Sequence, residues 1–386
     1  MSQRTFRQRH FGQRHIISII PKLIGYWVIA ALAAAQPAPP PAPQPGPLLT
    51  ENATLSTWKG DLRPQIEATW LRALGRLEPA PSDRRWLGDL RRARELKREE
   101  LPHYTRIELE LPIETDFWAP HVLLIPRASA HPGRRPAVIA WSSTTPDWRE
   151  PEKLWGAWLA ERGYVVLTGW SFIRGYRAGA RYDSKVHEVL YERFGHWAPL
   201  SRMAFDARRE AEYLRSLPNV DGARIGFMGF SLSAKAALYV AAFTPGIAAA
   251  VSIDPVIPLA ALPEGGGTNY KMPWYLDWNK AVGDTTVGGI LTGHDHHEIL
   301  ALAAPRPLLI LGGSGDTEWG RAHSDGRRSA DWVNRARAVY KLYGAEDRLQ
   351  FIPTSDGHHA NGPAMDPAWQ GFVEKWIAMR VPPARR

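Results

Sequence analysis

An α/β fold, with a mostly parallel central sheet covered by helices on both faces, is what this sequence predicts. Three observations carry that expectation. Short apolar runs alternate with amphipathic helical stretches from residue 136 to the end. Those runs are apolar throughout, as strands buried on both faces are. The runs just before them alternate apolar and polar residues, as half-buried antiparallel strands do.

In order, Leu55 to Glu100 is helical in pattern and heavily charged, and is expected to pack as a helical lead-in. The period then changes to two at Thr105–Ile113 (TRIELELPI), and His121–Pro126 (HVLLIP) is a second strand. Pro136–Ser142 (PAVIAWS) is a buried strand, Pro151–Arg162 a helix, and Gly163–Trp170 (GYVVLTGW) another buried strand. Met203, Ala207, Ala211 and Leu214 recur at helical spacing. Ala223–Gly229 is a strand, Leu232–Phe243 an Ala-rich helix, and Ile247–Ile253 and Arg306–Gly313 are strands. Ser329–Tyr343 is helical and Arg348–Pro353 is the last strand. Trp369, Phe372, Val373, Trp376 and Ile377 form a closing helical stripe. One stretch breaks the alternation: Asp254 to His294 is rich in Gly and Trp, follows a strand, and is too long for a plain connection.

The first 35 residues stand apart. Arg4, Arg7, Arg9, Arg14 and Lys22 precede an apolar run from Leu23 that ends in Ala33-Ala34-Ala35, with no acid among them. That is the layout of a secretory signal peptide. The alternative is an uncleaved anchor, for which the run is short against the ~20 residues a span needs. Gln36 to Leu48 is Pro-rich and expected as an extended spacer of about residues 36–50, leaving a domain over 51–386. The expected location is therefore secreted or periplasmic, with no membrane partner unless the leader stays attached. Removing the leader's five basic residues takes the net charge from +9 to +4, which gives no argument for nucleic acid. The chain has no Cys, which excludes a thiol nucleophile, thiolate metal sites and disulfides.

The chemistry centres on Gly229-Phe230-Ser231-Leu232-Ser233, set between a strand and a helix. A nucleophile elbow needs that context, because its sharp turn lifts the serine oxygen above the sheet and demands small flanking residues. Gly229 meets the demand; Ser233 stands where a second Gly is usual. Serine is a weak nucleophile that needs a base, and the base needs an orienting acid. Asp316 follows the strand RPLLILGG and His358 follows the last strand, both beyond strand C-termini where an open parallel sheet places its site. Their rivals are Glu318 and Asp325 for the acid and His359 for the base. The oxyanion donors are expected from the backbone N–H of Leu232 and from Ser142 or Ser143.

VDGARIGFMGFSLSAKAAL, HDHHEILALAAPRPLLILGGSGD and DGHHANG together resemble the dienelactone hydrolase and acetyl xylan esterase branch of the α/β-hydrolases, and are similar to the glucuronoyl esterases. The resemblance runs from about Leu62 to Ile377. It implies a serine carboxylic-ester hydrolase acting on carbohydrate esters, with no cofactor. In glucuronoyl esterases a D-x-H segment precedes the A-P-R-P strand and a Lys lies four residues past the nucleophile; Asp295, His297 and Lys235 occupy those places, Lys235 as a possible hydroxyl contact. This chain reads Phe230 and Leu232 where those enzymes have Cys and Arg.

The cluster His294, Asp295, His296, His297 and Glu298 lacks H-x-x-x-H spacing and is expected as the start of a helix, not a metal site. Trp274, Tyr275 and Trp278 in the insertion, with Trp319 beside Asp316, are candidates to stack on sugar rings; the bland alternative is that they hold the loop to the core. Two other classes of function share the fold: a secreted serine peptidase of the prolyl oligopeptidase type, for which the N-terminal segment is too short to form a propeller, and a binding protein on an inactive hydrolase scaffold.

Overall fold

The computed structural model describes residues 47–142, 147–169, 190, 192–195, 197–255, 294–313, 326–354 and 367–379. All of these lie in the compact unit that spans Pro41–Arg386. Nine strands form one sheet: β1 (Arg94–Glu100), β2 (Tyr104–Pro112), β3 (Trp118–Pro126), β4 (Arg135–Trp141), β5 (Val165–Thr168), β6 (Val220–Phe230), β7 (Ala249–Ile253), β8 (Leu308–Gly313) and β9 (Leu349–Thr354). Their order is β1-β2-β3-β5-β4-β6-β7-β8-β9. The first three pair antiparallel, and β3 meets β5 antiparallel. From β5 through β4 to β9 every pairing is parallel. This is the α/β-hydrolase fold, and the expected mostly parallel sheet is present.

The helices cover both faces. Helices α1 (Arg63–Leu74), α2 (Pro199–Ser216), α3 (Leu232–Phe243), α4 (His296–Ala303) and α5 (Gly326–Leu342) enclose the larger core. The helical segment Glu152–Glu161 and the closing stretch Ala368–Ala378 cover the other. The strands serve both: Ile139 and Phe227 belong to the first core, Val138 and Met228 to the second. Period-two geometry requires this division and explains the unbroken apolar runs. Each fully buried Val, Leu, Ile or Phe contributes roughly 1.5–3 kcal/mol, so a core this large holds the fold without a disulfide.

The charged lead-in departs from the helical expectation. It is helical from Leu55 to Leu74, breaks into short 3₁₀ segments at Pro81–Trp86 and Leu90–Arg92, and ends as β1. Arg, Glu and Lys favour a helix locally, but β2 leaves an open edge of backbone donors and acceptors, and pairing with that edge prevails. β1 is exposed along almost its whole length, bulges between Glu95 and Lys97, and carries the ion pairs Arg98–Glu95 and Lys97–Glu99. These are the features of a protected edge strand. Among the described residues no helix is long and apolar enough to cross a membrane.

Candidate active site

β6 ends at Phe230 and α3 starts at Leu232, so Ser231 alone makes the turn. It does so at φ 57° and ψ −112°, in the left-handed half of backbone space that a non-glycine residue enters at a cost. Two backbone bonds hold it there. Its N–H donates to the Ile253 carbonyl at 2.9 Å, and its own carbonyl accepts from the Lys235 N–H at 3.1 Å. Gly229 is glycine for a steric reason: a Cβ at that position would run into the Ser233 carbonyl. The strand–turn–helix context expected for an elbow is therefore present, and it sets Ser231 at the C-terminal edge of the parallel strands.

Leu232 opens α3, so its N–H is one of the helix-start groups without an intrahelical acceptor. Ser142 follows β4, the strand beside β6, with Trp141 in register with Gly229. The buried Ser233 hydroxyl donates to the Ser142 carbonyl at 2.5 Å. The Ser142 hydroxyl in turn donates to Glu150. Trp141 donates its indole N–H to Glu210 Oε2 at 2.8 Å, and Glu210 Oε1 lies 2.9 Å from His121 Nε2.

Lys235 lies one turn into α3 and is buried. Burial lowers its pKa to about 8, against the opposing pull of Asp254. Asp254 is a residue that sequence reasoning used only as the limit of the insertion. It follows β7 directly, is buried, and takes φ 59° with its N–H donating to Leu311 at 2.7 Å. Among the described residues, Ser231 and Asp254 are the two non-glycine residues with positive φ, and they end neighbouring strands. The available signal was weak: an Asp-Pro pair closing a buried strand.

Asp316, His358, Trp274, Tyr275, Trp278 and Trp319 lie outside the described residues, as do the rivals Glu318, Asp325 and His359, the alternative donor Ser143, and the insertion interior. The His294–Glu298 cluster starts α4, as expected. Asp295 caps the helix by accepting from the His296 N–H. Glu298 accepts the Trp70 indole N–H at 2.7 Å and lies 2.8 Å from His294 Nδ1. His296 Nε2 lies 3.0 Å from the Tyr239 hydroxyl, with Trp70 stacked on its ring. These bonds tie α1 to α4 and α3. Among the described residues no group of three or more His, Asp or Glu could hold a metal ion.

Comparisons with known proteins agree with this architecture. The sequence profile of the family described as BAAT / Acyl-CoA thioester hydrolase C terminal matches residues 208–258, the segment that contains the elbow. The 4-O-methyl-glucuronoyl methylesterase 1 of Wolfiporia cocos is 24% identical over 213 residues, 49% of each chain. The aligned part thus spans about half the length of that curated relative. Among solved structures, a glucuronoyl esterase from Teredinibacter turnerae superposes with a TM-score of 0.62 at 19% identity, over 85% of this chain and 87% of that one. A glucuronoyl esterase from Solibacter usitatus gives 0.61 at 19% identity, over 86% and 97%. At these identities the likeness is one of fold.

Proposed function

We propose that this chain is a serine carboxylic-ester hydrolase acting on carbohydrate esters, either acetyl groups on a xylan-type sugar or glucuronate esters. The observation that carries the reading is Ser231, held in a left-handed conformation at the junction of a central parallel strand and a helix. The chain order Ser231, Asp316, His358, with the last two expected just past strand ends, supplies the rest. His358 takes the Ser231 proton as Oγ attacks the ester carbonyl. The N–H groups of Leu232 and Ser142 hold the developing oxyanion. Collapse expels the alcohol, which leaves with the proton from His358, and an acyl-enzyme remains. Water, deprotonated by His358, attacks that ester; the acid departs and the proton returns to Ser231. Asp316 orients His358. The activities of the similar proteins, glucuronoyl esterase and methylesterase, support the substrate class.

In this reading the 254–294 insertion and Trp319 form a wall that stacks on the sugar, with Lys235 near a hydroxyl. The leader over residues 1–35 exports the enzyme to the periplasm or the medium, where such polymers are met.

A second placement of the acid is favoured by one observation. Asp254 ends the strand next to the nucleophile's, is buried, and shares with Ser231 a left-handed backbone. It is a carboxylate already on the catalytic edge.

The test is hydrolysis of methyl glucuronate, acetylated xylo-oligosaccharides, 4-nitrophenyl acetate and a peptide amide by the native chain and by Ser231→Ala. We expect ester turnover by the native chain, and a loss of about 10⁴-fold or more in Ser231→Ala with an unchanged circular dichroism spectrum. Undiminished ester hydrolysis in the variant would refute the nucleophile, and preferential amide cleavage would move the enzyme to the peptidases.

A further inference from the structure

We infer that Ser233 is a positioning residue: its hydroxyl locks the end of β4 to the nucleophile turn, so that the two halves of the oxyanion hole are held as one unit. The inference rests on the esterase reading above. Ser233 occupies the place where the elbow pattern usually has a glycine, and steric need does not account for it. The crowding at this turn falls on Gly229, which abuts the Ser233 backbone; the Ser233 side chain instead makes a specific bond. That bond runs from Oγ to the Ser142 carbonyl at 2.5 Å, between residues 91 apart in the chain, in fully buried surroundings.

Its two ends sit on the two elements that carry the donors. Ser233 is in the first turn of α3, one residue past Leu232. Ser142 is the candidate second donor, and it is held from other directions as well. Its hydroxyl reaches Glu150. The preceding Trp141 is clamped through its indole N–H by Glu210, which His121 braces from behind, and Gly169 packs so close to that indole that a Cβ would collide with it. Among these ties, the Ser233 bond is the one that links Ser142 directly to the nucleophile's helix. A peptide is a rigid plane, and the Ser142 N–H lies in the plane just before that carbonyl, so fixing the carbonyl leaves only the two dihedrals of Ser142 through which the donor can move. An oxyanion hole works only when its donors lie where charge develops, and a shift of about 1 Å costs on the order of 10²-fold.

The test compares the native chain with Ser233→Gly, which restores the usual residue, and Ser233→Ala, on 4-nitrophenyl acetate and on the best carbohydrate ester. An arylboronic acid serves as a tetrahedral transition-state analogue, and melting temperature is recorded alongside. A positioning role predicts that kcat falls about tenfold in both variants, KM stays within about twofold, and the boronate inhibition constant rises in parallel with the loss in kcat. If the hydroxyl only satisfies a buried carbonyl, the melting temperature falls while kcat and the boronate constant of the folded fraction stay native, and the inference is overturned. Ser231→Ala, assayed in parallel, separates the two claims. Activity retained there, or a native chain inert on every ester, sinks the esterase reading and this one with it. Native kinetics in both Ser233 variants beside a dead Ser231→Ala sink this one alone.

Discussion

Ser231 and Asp254 show how much of a site one residue's conformation discloses. Both sit in backbone regions that cost a non-glycine residue of order 1–3 kcal/mol, and both end parallel strands on the same edge. We expect Asp316→Asn to lower kcat by about 10³–10⁴-fold through misorientation of the base, and Asp254→Asn to lower it less than about tenfold. Steady-state kinetics on 4-nitrophenyl acetate decide the matter, and the reverse order assigns the acid to Asp254. Ser231 was legible in the sequence because an elbow is local: a strand, a turn of small residues and a helix lie within two dozen positions. Asp254 was not, since nothing in a residue's identity announces a positive φ. The Ser233–Ser142 bond was equally hidden; its partners meet only when β4 comes to lie beside β6.

At the scale of elements, the parallel strands and their helices were readable because burial on both faces leaves an unbroken apolar signature. β1 was not, because its side chains meet solvent and its place comes from backbone bonds to β2. On the neighbouring strand, Glu108 joins a network with Arg149, Arg106 and Glu152. The hydrogen bond from Arg149, then that from Arg106, lowers the Glu108 carboxyl to about 2, against an opposing effect of burial. A carboxylate whose folded pKa lies below its unfolded value stabilises the fold above the unfolded pKa, and that contribution fades as pH falls through the folded one. Glu108→Gln should therefore cost about 1–2 kcal/mol at pH 7. The difference from the native chain should shrink progressively from pH 4.5 toward pH 2. Urea denaturation of both proteins across that range measures it, and a pH-independent difference would remove the charge from the explanation.

Across the whole molecule, the class of sheet followed from the sequence while the strand order did not. Periodicity reports that a strand is buried, never which neighbour buries it, so the placement of β5 between β3 and β4 had to come from the structure. The same holds for the N-terminal helices. Their charged surface reads as peripheral, yet Trp58 and Trp70 are fully buried in the larger core, and Trp70 bonds to Glu298 in the first turn of α4.

The charged edge strand has a practical corollary for anyone cutting the gene. A fragment that begins at residue 102, just before β2, keeps the elbow but discards β1 and both tryptophans. It bares β2, whose alternate residues Ile107, Leu109 and Leu111 are core, and an unshielded strand of that composition recruits copies of itself. A fragment beginning at residue 47 keeps every one of these contacts. Size-exclusion chromatography of the two should return a discrete species with native melting for the longer fragment and aggregate in the void volume for the shorter. The safe place for a purification tag or a fusion joint is thus upstream of Leu55.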